Sequence, residues 1–240
     1  VLIHKLLLNK FMKNSLVFDL DGTLVDTAPD LMSAHNYVMK KYGYEEKPLE
    51  SIRHLAGRGA AAMLIKSIDA KGNLVKKNPI DSDTHKQMTS DFISFYRKNI
   101  SGHSTIRKNV ISLLDWCKEK DVVCAVCTNK REDLAVKLLK EIKLYKYFDF
   151  IAGADTFSYR KPDPRHLTNI LDILEIDKKN TIMLGDSETD ANTAKAANIH
   201  FILINDGYTE KNLEDIHHDH LIEDFEIVKN IASNYLKIKE

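Results

Sequence analysis

Ser15-Leu16-Val17-Phe18-Asp19-Leu20-Asp21-Gly22-Thr23-Leu24-Val25-Asp26 is the stretch whose reading decides the fold. Leu16, Val17 and Phe18 form a short apolar run bounded by polar residues and a glycine, the pattern of a buried strand. Two carboxylates follow at its carboxyl end. Residues two apart in extended chain project to the same side, so Asp19 and Asp21 point together, and Gly22 lets the chain turn after them. Like charges so close repel one another unless something neutralises them. A divalent cation does so, and carboxylate oxygens suit Mg²⁺. The Asp-Gly pair alone would read as an exposed turn. The apolar strand before it and the second acid favour a site.

Downstream, Pro29 marks a helix start with Asp26 or Thr27 as its cap. Apolar residues at helical spacing predict helices over 31–41, 49–55, 60–68 and 83–98, with a polar loop over 72–82. Beyond residue 100 the pattern changes. Strands are expected at 122–127, 148–152, 181–184, 200–204 and 221–222, separated by helices at 132–142, 164–174 and 190–197 and flanked by helices at 110–120 and 225–236. Alternating strand and helix predicts an α/β fold, a three-layer Rossmann-like core with a mostly parallel sheet. In such sheets ligands bind at the carboxyl ends of the strands. Asp19, Asp21, Thr128 and Asp186 each sit just past such an end, and Lys161 lies in a loop beyond another. The expected organisation is an α/β core over 12–25 and 101–240, an all-helical insertion over 26–100, and an N-terminal extension over 1–11. The linkers near Val25 and Gly102 would act as hinges.

The 240 residues are 43% hydrophobic and 29% charged, which suits a folded protein with one large domain and an insertion. Thirty-five basic and 35 acidic residues cancel, leaving no overall field for nucleic acid or an anionic membrane. Any anion site must be local. No apolar stretch approaches the roughly 18 residues of a membrane span. Cys117, Cys124 and Cys127 are too few for a disulfide framework and imply a reducing, cytoplasmic setting. Cys124 and Cys127 have zinc-knuckle spacing but lie in a strand, where residues three apart face opposite sides, so both read as core. His217-His218-Asp219-His220 reads as a polar loop.

Asp19-Leu20-Asp21-Gly22-Thr23 resembles the first signature of the haloacid dehalogenase superfamily. Val126-Cys127-Thr128-Asn129, Arg160-Lys161-Pro162-Asp163 and Leu184-Gly185-Asp186-Ser187-Glu188-Thr189-Asp190 resemble its other three, in order. One such match is weak; four in sequence are strong. The resemblance implies a Mg²⁺-dependent phosphatase with a helical cap, acting on a small phosphorylated metabolite as a monomer or homodimer. It makes Asp19 the nucleophile and Asp21 the acid and base. The Asp19 carboxylate, the Asp21 backbone carbonyl and Asp186 would hold the metal, with Asp190 in support. Thr128 and Lys161 would bind the transferring phosphate, helped by Gly22, Thr23 and Asn129.

Within the superfamily, Val25-Asp26-Thr27-Ala28-Pro29-Asp30-Leu31, Ala56-Gly57-Arg58-Gly59 and Gly153-Ala154-Asp155-Thr156 resemble the phosphoglycolate phosphatases. Arg58 between two glycines would meet a substrate carboxylate. Where members of that group often carry a Pro-Tyr-Pro-Gly turn, this chain has His103-Ser104-Thr105-Ile106. A mutase of the β-phosphoglucomutase type would keep the same four signatures, and an inorganic pyrophosphatase on the same scaffold also stays open. A catalytically silent binding protein is a third alternative, against which the intact Asp19, Asp21, Lys161 and Asp186 speak.

Overall fold

Alternation along the first strand sets up two cores. In β1 (Ser15–Phe18), Leu16 and Phe18 face one apolar cluster and Val17 the other. The computed structural model describes residues 13–57, 59–69 and 81–239. It places β1 at the centre of a six-stranded sheet completed by β4 (Val123–Cys127), β5 (Phe150–Ala152), β6 (Thr181–Gly185), β7 (His200–Ile204) and β8 (His220–Ile222). The order is β5-β4-β1-β6-β7-β8 and every pairing is parallel. Phe18 is in register with Val126 on one side and Leu184 on the other, so the carboxyl ends of the three central strands are level.

Each face carries a helical layer. On one, α5 (Val110–Glu119), α6 (Glu132–Glu141) and α9 (Glu226–Tyr235) bury Leu113, Leu138 and Val228 against Phe18, Val126 and Ile202. On the other, α7 (Pro164–Leu174) and α8 (Glu188–Ala197) bury Leu167, Ile170 and Ala194 against Val17, Ala125 and Met183. Cys124 lies in the first core and Cys127 in the second, as their spacing requires, and all three cysteines are buried and unbridged. The core strands and helices match the sequence expectation to within a residue or two at each end. Helix α8 begins earlier than expected because Ser187 and Asp190 close a capping box.

Between β1 and α5 lies the helical insertion: α1 (Ala28–Lys41), a 3₁₀ turn at Leu49–Ser51 running into α2 (Ile52–Leu55), α3 (Ala60–Asp69) and α4 (Ser82–Lys98). Met39, Leu64, Met88 and Phe92 form its own apolar contact, continuous with the first core. Its entry and exit are stitched together by a ribbon that the sequence did not reveal. There β2 (Val25–Asp26) pairs antiparallel with β3 (Thr105–Ile106). Most of the expected 72–82 loop lies outside the described residues. His220 opens β8 and Asp219 accepts from the Phe201 N–H at 2.7 Å, so part of the histidine-rich stretch is strand rather than loop. Among the described residues no helix is long and apolar enough to cross a membrane.

Candidate active site

The level strand ends bring four charged groups together. The Lys161 ammonium lies 2.7 Å from Asp19 Oδ1 and 2.6 Å from Asp190 Oδ1. Asp19, Asp186 and Asp190 each offer a carboxylate oxygen, all within 4.8 Å of one another, the one such group among the described residues. Every member is buried, from 0% exposure for Asp190 to 8% for Asp19. Three acids against one lysine leave the cluster short of positive charge. Burial pushes the Asp19 carboxyl up to about 8, with Asp190 and Asp186 adding to it and Lys161 opposing. Burial and then Asp190 push Asp186 up to about 6, against hydrogen bonds from Tyr208 and Thr23. Burial works against the Lys161 charge, but Asp19 and Asp190 outweigh it and hold the ammonium above its ordinary range. An under-neutralised set of hard oxygen donors fits Mg²⁺.

The surroundings fix these groups in place. Thr23 Oγ1 donates to Asp186 Oδ1 at 2.8 Å, and the Tyr208 N–H donates to Oδ2 at 2.6 Å. Asp190 Oδ2 accepts from the Ser187 N–H and hydroxyl, which ties it to the start of α8. Gly22 has φ +87°, and a Cβ there would stand 2.3 Å from Asp186 Oδ2, so only glycine permits this approach. The Lys161 N–H donates to His166 Nδ1 at 3.2 Å, and His166 Nε2 meets the Gly153 carbonyl at 3.1 Å. Burial, then the Lys161 charge, lower His166 to about 4, so it stays a neutral ring that anchors the Lys161 backbone.

The other expected residues divide. Asp21 lies beyond the carboxylate group, and its Oδ1 accepts from Thr27 Oγ1 at 2.7 Å and from Lys130 Nζ at 2.6 Å. Thr128 is buried at the end of β4 and its Oγ1 accepts from the Lys130 N–H, leaving the hydroxyl proton to donate. Asn129 Nδ2 donates to the Gly57 and Lys161 carbonyls, so it bridges the helical insertion to the Lys161 loop. The Gly22 N–H is held by the Val25 carbonyl and the Thr23 hydroxyl by Asp186, so both build the site's frame. Arg58 lies outside the described residues.

Sequence reasoning missed Lys130, Tyr208 and His166. Lys130 directly follows Thr128-Asn129 and Tyr208 follows the end of β7, so position after a strand end was the signal available for both. His166 carries no such mark, since it lies within α7. A cavity of about 270 Å³ lies over the cluster, between the strand ends and the insertion. Leu31, Ala60, Met63, Phe92 and Tyr96 form its insertion side.

A family model described as Haloacid dehalogenase-like hydrolase matches residues 16–204. The chain is 36% identical over 209 residues to a phosphoglycolate phosphatase of Agrobacterium fabrum, covering 87% of this chain and 88% of that one. It is 34% identical over 211 residues to a phosphoglycolate phosphatase of Mesorhizobium japonicum, covering 88% and 91%. A crystal structure from Haemophilus somnus, titled a predicted phosphoglycolate phosphatase, superposes with a TM-score of 0.86 at 23% identity over 92% of this chain and 98% of that one, which shows a shared fold.

Proposed function

Since this chain belongs to the haloacid dehalogenase-like hydrolases, we propose that it is a phosphatase that hydrolyses a small phosphomonoester, 2-phosphoglycolate, through an aspartyl-phosphate on Asp19. The observation that carries this reading is the pairing of Asp19 with Lys161 beside Asp186 and Asp190, with Asp21 two residues on. Mg²⁺, held by Asp19, the Asp21 carbonyl and Asp186, would supply positive charge to the phosphate oxygens.

An Asp19 oxygen attacks phosphorus while the bond to the leaving oxygen breaks. Asp21 gives its proton to that leaving oxygen. In the second half, Asp21, now a carboxylate, takes a proton from water. The water oxygen bonds to phosphorus, and the bond to Asp19 breaks. Lys161 faces the phosphate with a charge that its two acidic partners hold in place, and the Thr128 hydroxyl donates a hydrogen bond. Asp190 keeps Lys161 aimed at Asp19 throughout. The helical insertion, hinged at the β2–β3 ribbon, would close over the substrate and exclude water. Names of relatives and the small cavity support the choice of substrate. The unbridged cysteines support a cytoplasmic setting.

The deciding experiment is a panel of 2-phosphoglycolate, pyrophosphate, glucose 1-phosphate and nucleoside monophosphates with Mg²⁺ present. The expected result is that 2-phosphoglycolate has the highest kcat/KM. A preference for pyrophosphate, or isomerisation of the sugar phosphate without release of phosphate, would overturn the assignment.

A further inference from the structure

Lys130 is a buried lysine that the phosphoryl chemistry above does not use. Its side chain is 4% exposed, and it runs from the end of β4 into the cavity rather than out to solvent. Nζ meets Asp21 Oδ1 at 2.6 Å and stands 4.6 Å from the centre of the Tyr96 ring. Asp21 is the only hydrogen-bond acceptor it meets among the described residues, although an ammonium carries three donors. Tyr96 comes from α4 in the insertion and is 1% exposed. Its hydroxyl is buried with no partner among the described residues. Burying donors without acceptors is costly, and such a site is built for something that brings acceptors with it.

Position identifies what that is. Asp21 is assigned to the leaving oxygen, and Lys130 is one hydrogen bond beyond Asp21. The leaving oxygen therefore falls within roughly 5–6 Å of Nζ, the span of two hydrogen bonds, and an anionic group one or two bonds past it can turn toward the ammonium. In 2-phosphoglycolate a single methylene separates the leaving oxygen from a carboxylate. Leu31, Phe92 and Ile93 supply apolar wall to the same cavity.

We propose that Lys130 and the Tyr96 hydroxyl form the subsite for the substrate's carboxylate. They thereby select phosphorylated 2-hydroxy acids over neutral phosphomonoesters. A carboxylate that draws the ammonium to itself also frees the Asp21 oxygen for the leaving group. This rests on the phosphatase assignment and sharpens it, since it locates specificity on the core side of the cavity as well as on the insertion.

The test compares 2-phosphoglycolate with ethyl phosphate, which keeps the phosphate and the methylene but lacks the carboxylate. Because Lys130 touches Asp21, a loss on both substrates is expected on substitution, and the ratio of their kcat/KM values is the readout. Lys130→Met should lower that ratio about a hundredfold and Tyr96→Phe about tenfold. Inhibition by the product glycolate should weaken in both variants, while inhibition by inorganic phosphate stays within about twofold of wild type. An unchanged ratio with unchanged glycolate inhibition overturns the subsite. Should Lys130→Met fail to fold, Lys130→Gln with Tyr96→Phe gives the same decision. Wild type that shows no preference for 2-phosphoglycolate over ethyl phosphate would instead overturn the substrate assignment itself, so the two failures are distinguishable.

Discussion

The Tyr208 hydroxyl donates to Asp26 Oδ1 at 2.6 Å and accepts from the Thr27 and Ala28 N–H groups at 2.8 Å. One phenol thus caps helix α1, whose Thr27 cap residue turns its own hydroxyl to Asp21 rather than to the helix. Through its backbone N–H the same residue holds Asp186. The loop after β7 is therefore tied both to the candidate metal site and to the entry of the insertion.

Tyr208→Phe removes the oxygen and keeps the ring. It leaves two helix N–H groups and the Asp26 carboxylate without that partner. The expected loss of stability is about 1–3 kcal/mol, from the cost of unsatisfied buried polar groups. Urea unfolding of the two proteins measures it. A difference within error would mean that water replaces the hydroxyl and that the phenol is no cap.

Asp30 holds the other strand of the hinge. Only 2% exposed, it accepts from the His103 N–H at 3.0 Å, the Ser104 N–H at 2.8 Å and the Ser104 hydroxyl at 2.6 Å. Burial alone would raise its carboxyl, but the hydrogen bonds from Ser104 and His103 outweigh burial and hold it below the ordinary range. Its contribution is therefore present above the unfolded carboxylate range and is lost as pH falls through the lower folded value. Asp30→Asn should cost roughly 2–3 kcal/mol at neutral pH, the range for hydrogen bonds to a charged group. The gap from wild type should narrow in acid. A constant gap from pH 7 to pH 3 would contradict the charge-based account.

Much of this site was legible because phosphoryl chemistry uses a few residue types at strand ends. Asp19, Asp21, Thr128 and Asp186 stand there, and Lys161 lies in the loop beyond β5. Apolar runs located the strands, and the resemblance of four ordered signatures singled out the residues. What was not legible follows from contacts across long sequence separations. Asp26 and Tyr208 are 182 residues apart, and nothing local to either announces the pair. The β2–β3 ribbon is two residues per strand, too short for an alternating pattern to show. Lys130 reads as a surface lysine until the fold turns it inward beneath Tyr96. The residues expected to surround the phosphate, Gly22, Thr23 and Asn129, carry hydrogen-bond roles that only the packed geometry reveals.

Gly22 offers a direct check of that framing role. With φ at +87°, an alanine there is strained, and its Cβ would have to displace Asp186 Oδ2 or the Tyr208 ring, 2.3 and 3.0 Å away. Displacing a catalytic group by about an ångström costs roughly a hundredfold in rate. Gly22→Ala should therefore lower kcat/KM by that factor or more and weaken Mg²⁺ binding in parallel. Retention of both would show that the Gly22 turn can relax without moving Asp186.

The crowding of acids around Lys161 makes a prediction that couples pH, metal and stability. In the metal-free protein Asp19 is pushed up to about 8 and Asp186 to about 6, from an ordinary value of 3.8. The folded state then holds protons that the unfolded chain has already released. The contribution of these two carboxyls to stability therefore falls as pH rises from about 4 through about 8, because the unfolded state binds fewer protons at them over that window. His166, held at about 4, works in the opposite direction below the ordinary histidine range. Mg²⁺ at the proposed site would bind the deprotonated carboxylates, so its apparent affinity should rise with pH and its binding should release protons. Asp19→Asn removes the largest contributor. The variant should fold, have no phosphatase activity because an amide is a poor nucleophile, and lose less stability than wild type between pH 5 and pH 8 in chelator. Thermal unfolding of both proteins across that range, with chelator and with excess Mg²⁺, reads each part. In chelator the wild-type Tm should drop more steeply with pH than that of the variant, and Mg²⁺ should flatten the wild-type curve. Parallel curves in chelator would show that Asp19 carries no such burden. Activity of Asp19→Asn near the wild-type level would remove Asp19 as the nucleophile whatever the curves show.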